Sequence, residues 1–471
     1  MPSEKGGDHL EPAPTILAEL GHYLKEEALT ITQFAERSGL HSGTLSNVIH
    51  GLRPIAMQQL DRITEAMGLA EGYFYDLYID NYIIEGSPDW RRIGPLLHRC
   101  AELDKLDAIQ RIVGHIMDNL MYLPLLFNTA EELFIKGYYT AASILYKIVA
   151  EGEKSQHSER LALCQYRLFT LSLCDDQNVN LLAAVHFEPY VERLDEAYQL
   201  DALNELINAN GSIQRWDKVE QLAEKMGHKA SIYYETNSIK DGFSEKLKKP
   251  LIFYILYAYL ARANAWRENG NYEKALYYVS LYAENSWIKE PSDIEKGVIN
   301  QFSQWAEANR YMYQLLNGNV EILPDYVNYI AARENEIFPG LCKIILAANK
   351  YNINVDDILE LFDDYLGFKW MQNQIGRISH QVTAERYTRL LAELGIYYLN
   401  AKIFDKGIFL VLESLESSIK INSDSAMLRC IGLYEQFREY ASDQAQEKYK
   451  ILIREVQTLN EKKIGFSTHY L

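Results

Sequence analysis

The sequence predicts an all-α protein: a small helical N-terminal domain followed by a long array of paired helices. Three observations predict this. From Trp90 onward nearly every window places apolar residues at the 3.6-residue period of an amphipathic helix. No segment alternates apolar and polar residues strictly between turn signals, as a half-buried strand would. The 471 residues include only 12 Pro and 26 Gly, too few for the many turns of an all-β chain.

Residues 1–14 are polar and contain Pro without an apolar stretch, so we expect a mobile tail and no signal peptide. Residues 15–70 read as short helices with sharp turns. Within them, LTITQFAERSGLHSGTLSNVIHGLRP (29–54) is the most informative stretch. Thr30 and Gln33 have the spacing of a capping box, so a helix starts there with Phe34 and Ala35 on its buried face. Gly39 follows Ser38 and can take the left-handed conformation that ends a helix abruptly. A second helix is expected from about Ser42 to His50, with Leu45, Val48 and Ile49 inward and Gly51 at its end. Ala35 is small because the two helices cross beside it. A further helix runs through Leu60, Ile63, Met67 and Leu69.

With its LSNVIHG tail and Arg53-Pro54, this segment resembles the Cro/phage-repressor class of helix-turn-helix domains. The resemblance implies a DNA-binding domain over residues 15–70 whose second helix enters the major groove of double-stranded operator DNA. Ser42, Thr44, Ser46 and Asn47 would then meet base edges. Asparagine can bond adenine in a bidentate way, whereas Ser and Thr select less. Thr32, Gln33, His50 and Arg53 would meet backbone phosphates. Residues 1–70 carry five basic and nine acidic side chains, a balance of −4, so one copy should bind weakly. Two copies on a two-fold operator recover affinity through effective concentration.

Residues 71–90, with GYFYDLYIDNYIIEGSPDW, read as an aromatic connector closed by a Gly-Ser-Pro break. Residues 91–471 then repeat a pattern of helix, short turn with an aromatic at its end, and second helix. It occurs in ELFIKGYYTAASILYKIV (132–149), NANGSIQRWDKVEQLAEKM (208–226), ARANAWRENGNYEKALYYV (261–279) and LAELGIYYLNAKIFDKGIFLV (391–411). The turn aromatics are Tyr139, Trp216, Tyr272 and Phe404. Three residues on stand Ala142, Val219, Ala275 and Gly407, small or medium residues placed to pack on the first helix. Gly395 and Tyr398 fall where a helix contact needs a small residue and then an aromatic. The pattern resembles a degenerate tetratricopeptide repeat (TPR); an unrelated α-solenoid is the alternative. Stretches near 303–332 and 336–366 are candidate further units, and the length suits roughly seven to nine pairs. Such pairs stack into a superhelix with a concave face.

One Cro-like head, a connector and a degenerate TPR array together resemble the RRNPP group of Gram-positive bacterial and phage regulators. The resemblance implies a cytoplasmic quorum-sensing-type transcription regulator that acts as a homodimer and binds a short signalling peptide in its repeat domain. In a TPR unit the first helix lines the groove, and counting back from the turn aromatics nominates residues there. Asn204, Asn208 and Asn264 offer donors and acceptors to a peptide main chain. Arg267 and Arg389 are placed as anchors for a carboxylate. Tyr257 is placed to line the groove. The abundance of Tyr, 34 in all, suits rings packed between helices with wet hydroxyls.

No Walker loop, GxGxxG, HExxH or GxSxG is present, so we expect no enzyme, no cofactor and no metal. The five cysteines are scattered, as reduced thiols would be. The longest apolar run, from Leu251 to Ala261, is too short to span a bilayer, and a net charge of −18 disfavours membrane surfaces. Two other readings stay open. One is an adaptor whose groove holds a partner protein; the other is a constitutive phage-type repressor without a peptide ligand.

Overall fold

The computed structural model describes residues 15–154, 158–236, 246–367, 372–373, 376–377 and 380–467. The expected tail, residues 1–14, lies outside them. The described residues are helical between turns, apart from a two-residue antiparallel pairing of Gln372–Asn373 with Gly376–Arg377. The chain divides into two compact units, Met1–Leu171 and Ser172–Leu471.

The first unit begins with α1 (Ile16–Glu26), α2 (Ile31–Ser38), α3 (Ser42–Ile49) and α4 (Met57–Ala66). Thr30 and Gln33 make a reciprocal capping box at the start of α2, and Gly39 ends that helix at φ 63°. Ile16, Leu20, Phe34, Ala35, Leu45, Val48, Leu60 and Ile63 form the core of these helices. Ile49, expected inside, is only half-buried. Residues 71–90 are a packed element: α5 (Tyr75–Ile79) continues as a π-helical turn, Asp80–Ile84. Its tyrosines carry polar tips that tie it to the residues before it. The Tyr78 hydroxyl donates to the Ile55 carbonyl at 2.7 Å and the Tyr75 hydroxyl to Asp61 at 2.8 Å. Helices α6 (Trp90–Glu102), α7 (Leu106–Ile116), α8 (Leu123–Ile135), α9 (Tyr139–Gly152) and α10 (Glu159–Ser172) follow. Arg99 on α6 also reaches Asp61, at 3.1 Å.

The second unit runs through α11 (Gln177–Phe187), α12 (Glu196–Ser212), α13 (Trp216–Glu235), α14 (Leu251–Glu268), α15 (Tyr272–Ala283), α16 (Asp293–Leu316) and α17 (Leu323–Ala331). It continues through α18 (Glu334–Tyr351), α19 (Asp356–Leu361), α20 (His380–Asn400), α21 (Phe404–Lys420), α22 (Asp424–Gln436) and α23 (Asp443–Ser467). The stretch expected near 303–332 starts earlier, at the Ser292–Glu295 capping box that opens α16.

One turn recurs in both units. Tyr139, Trp216, Tyr272 and Phe404 are each the first residue of the second helix of a pair. Two residues earlier the backbone is left-handed, at Gly137, Gln214, Gly270 and Lys402. The amide of the residue between them bonds the carbonyl five positions back, as in Tyr138 to Leu133, Arg215 to Asn210, Asn271 to Trp266 and Ile403 to Tyr398. This hydrogen bond ends the first helix and fixes the direction of the second. Ala142, Val219, Ala275 and Gly407 are buried against the first helix. At the α20–α21 crossing, a Cβ on Gly395 would lie 2.8 Å from Val411 Cγ2, and one on Gly407 2.9 Å from the Leu399 backbone nitrogen.

In the second unit the first helices of successive pairs touch in sequence: α12, α14, α16, α18, α20. The last, α20, returns to touch α12. These five helices therefore close into a ring. The start of α11 also meets the end of α21: the Gln177 amide donates to the Ile421 carbonyl at 2.7 Å, and Asn178 Nδ2 donates to the Asn422 carbonyl at 2.7 Å.

Candidate functional sites

In the first unit, α3 is set by local devices at its start. Gly39 turns the chain, and His41 Nδ1 accepts from the Gly43 amide at 3.2 Å. The Arg62 guanidinium on α4 donates to the Gly39 carbonyl at 3.0 Å and so fixes the turn to the third helix. Neither His41 nor Arg62 was assigned a role from sequence, because a histidine cap has no spacing signature and Arg62 lies 23 residues from its partner. Ser42, Asn47, His50 and Arg53 are exposed, as are Thr32 and Gln33 on α2. Thr44 and Ser46 are half-buried. Gln33 Oε1 accepts from the Thr30 amide and hydroxyl, so only its amino end is available to a phosphate. The exposed start of α3 is therefore rich in neutral donors and acceptors.

In the second unit, the six nominated groove residues lie on three of the five ring helices: Asn204 and Asn208 on α12, Tyr257, Asn264 and Arg267 on α14, Arg389 on α20. Three of them, Asn208, Tyr257 and Asn264, make lateral bonds between ring helices. The Tyr257 hydroxyl donates to Asn208 Oδ1 at 2.5 Å, and the Tyr313 hydroxyl on α16 donates to Asn264 Oδ1 at 3.4 Å. Both pairs span 49 residues, one rung of the ring each. Burial pushes the Tyr257 hydroxyl up to about 12, so it stays a donor.

Arg267 and Arg389 were nominated as free anchors; instead they meet at Glu268. Arg267 lies 2.8 Å from the Glu268 carboxylate, and Arg389 grips it with two bonds of 3.0 and 3.2 Å. The second pair joins α14 to α20, which are not neighbours around the ring. Lys343 on α18 adds a third positive charge to this cluster. Burial opposes ionisation of Glu268, but Arg267, Lys343 and Arg389 outweigh it and hold the carboxyl well below its usual range. Lys343 is pushed down to about 7, first by burial and then by the two guanidiniums. Burial pushes Glu385 up, against the pull of Arg389 and the bond that Gln214 donates to it at 3.0 Å.

Five side-chain atoms on ring helices are buried without a hydrogen-bond partner: Gln199 Oε1, Asn204 Oδ1, Trp266 Nε1, Arg267 Nε and Asn349 Oδ1. Buried polar atoms are nearly always paired, so these are open to bonds from a polar ligand. Beside Arg389 opens a cavity of about 290 Å³, whose lining includes Gln214, Glu385, Thr388, Ser414 and Arg429. Glu268, Lys343, Glu385 and Tyr313 were missed from sequence. Glu268 sits next to Arg267 in the chain but meets Arg389 across 121 residues, a relation no local pattern carries.

Among the described residues no group of three or more His, Cys, Asp and Glu is placed to hold a metal ion. No described helix is long and apolar enough to cross a membrane. No protein-family model matches the sequence, and no curated protein matches it.

Proposed function

We propose that this chain is a cytoplasmic, homodimeric transcription regulator of the RRNPP type, built from a Cro-like helix-turn-helix head and a TPR-like ring. The ring holds a short signalling peptide, and the ligand alters operator binding by the head. The observation that carries this reading is the ring with its orphaned polar atoms, Asn204 Oδ1, Arg267 Nε and Asn349 Oδ1 among them. A peptide bound in extended form presents main-chain N–H and C=O groups at regular intervals, the complement such atoms need. The donors of Asn208 and Asn264 add to that set, since tyrosines occupy only their carbonyl oxygens.

The reading of the head rests on the exposed start of α3 and on the devices that fix it. Ser42 and Asn47 lie on its exposed surface. Sequence-specific discrimination then falls mainly to Asn47, the one side chain of the set able to bond adenine in a bidentate way.

The test is a gel shift with duplex DNA from around the protein's own gene, with and without peptides encoded by any adjacent small reading frame. A shift that one peptide creates or abolishes is expected. Asn47→Ala should weaken binding to the best fragment by roughly ten- to a hundredfold while leaving non-specific DNA unaffected. Arg53→Ala should weaken all sequences alike and lower the salt slope by about one. Folded protein that shifts no fragment at low salt would end the regulator reading in favour of an adaptor.

A further inference from the structure

Several cations gather at Glu268. One carboxylate serves two guanidiniums in direct contact, at 2.8 Å from Arg267 and 3.0 Å from Arg389. Lys343, on the next wall of the ring, makes no hydrogen bond or ion pair among the described residues. Its ammonium therefore sits half-buried beside two other cations, with Glu268 already shared. Arg267 keeps Nε buried and unpaired in the same cluster. Such a site is costly when empty and favourable when an anion enters, because a buried charge needs a partner.

We propose that the ring's ligand carries a carboxylate that docks on Lys343, with Arg267 and Arg389 in support, and that Lys343 takes up a proton as it binds. This deepens the peptide reading above and rests on it. A carboxylate suits the site because guanidiniums present paired donors to it. Either a free C-terminus or an acidic side chain has this chemistry.

The proton follows from the surroundings. Arg267 and Glu268 on α14 and Arg389 on α20 act on the Lys343 amine, as does Cys342 on α18 itself. Glu385, Arg386 and Glu393 on α20, Tyr313 on α16, Tyr326 on α17 and Glu336 on α18 are the other titratable and charged groups around the cluster. Cys342 is pushed up to about 11 and Tyr313 to about 12, both first by burial, so both stay neutral near pH 8. Lys343 in the empty ring, pushed down to about 7, is mostly neutral at pH 8. A bound carboxylate restores its proton, so uptake is about one proton at pH 8 and close to none at pH 6. Affinity should fall about tenfold per pH unit above 7.

The experiment exposes the full chain to three random hexapeptide mixtures and identifies retained peptides by mass spectrometry. One has free C-termini and lacks Asp and Glu; the second is the same but amidated; the third is amidated and contains Asp and Glu. Retention from the first or third alone supports the proposal and says which carboxylate docks. Equal retention from the second keeps the peptide ring and overturns the carboxylate site. Retention from none overturns both. A retained peptide is then titrated calorimetrically at pH 6 and pH 8 in buffers of different ionisation enthalpy. Lys343→Met should lose at least tenfold in affinity and all proton uptake, and Lys343→Arg should keep affinity without uptake. Unchanged affinity and uptake in Lys343→Met, with its helical circular dichroism intact, would also overturn the proposal.

Discussion

Replacing Glu268 by Gln should destabilise the protein by about 3–5 kcal/mol, the range for breaking a buried ion pair from one side. The variant keeps the shape of the side chain and removes only the charge. Arg267, Lys343 and Arg389 would then face one another without the carboxylate they share. Urea unfolding of the full chain measures the loss. Its pH dependence has a definite sign. Glu268 is held below its ordinary pKa in the fold, so its contribution is present above the unfolded value of about 4.3. It is lost as pH falls through the folded value, so the gap between wild type and variant should close in strong acid. Adding Lys343→Met to Glu268→Gln should restore part of the loss, because it removes one of the repelling cations. Strict additivity of the two changes would show that Lys343 does not act on this cluster.

The ends of helices were legible in the sequence wherever a local rule decides them. Thr30 with Gln33 and the glycine at 39 are local signals, and the helix they bound appears where expected. The turn aromatics were legible for the same reason, since each opens a helix. The left-handed residues of those turns were less so. Gly137 and Gly270 advertise themselves, but Gln214 and Lys402 take the same conformation under pressure from the hairpin they join. Tertiary packing overrode the local preference there. The connector, residues 71–90, shows the same limit. Its aromatics were visible, but that Tyr75 and Tyr78 would reach back to Asp61 and Ile55 depends on contacts 14 and 23 residues away.

The ring was less legible still. Counting along a repeat nominated Asn208, Tyr257 and Asn264 for a groove, and the structure joins them in lateral bonds between ring helices. The count treats each unit separately, however, and cannot show that α20 returns to α12. Closure is what brings Arg389 to Glu268 and turns two nominated anchors into an internal pair. It also makes Lys343, which no repeat position singled out, the cation with charge to spare. A groove inferred from period alone is open; the interior here is bounded on every side by helices that share polar bonds.

Gly407→Ala should cost about 2 kcal/mol and weaken any ligand of the ring, through a close backbone approach at the α20–α21 crossing. The added Cβ would stand 2.7 Å from Leu399 Cγ and 2.9 Å from the Leu399 backbone nitrogen. A flexible side chain can move aside, but a backbone nitrogen inside a helix cannot, so α20 and α21 must separate. Overpacking of this kind costs about 1–3 kcal/mol or more, and the gain of about 1 kcal/mol from replacing a helical glycine offsets part of it. Gly395 faces the same crossing, its own missing Cβ lying 3.2 Å from the Gly407 carbonyl oxygen. Because α20 carries Glu385 and Arg389, its displacement loosens the bonds to Gln214 and Glu268 that cross the ring. Thermal unfolding of Gly407→Ala should therefore fall by a few degrees. Exchange of the α20 amides with solvent should quicken more than that of α14. An unchanged melting point would mean that the crossing yields without cost, and that the ring does not depend on it.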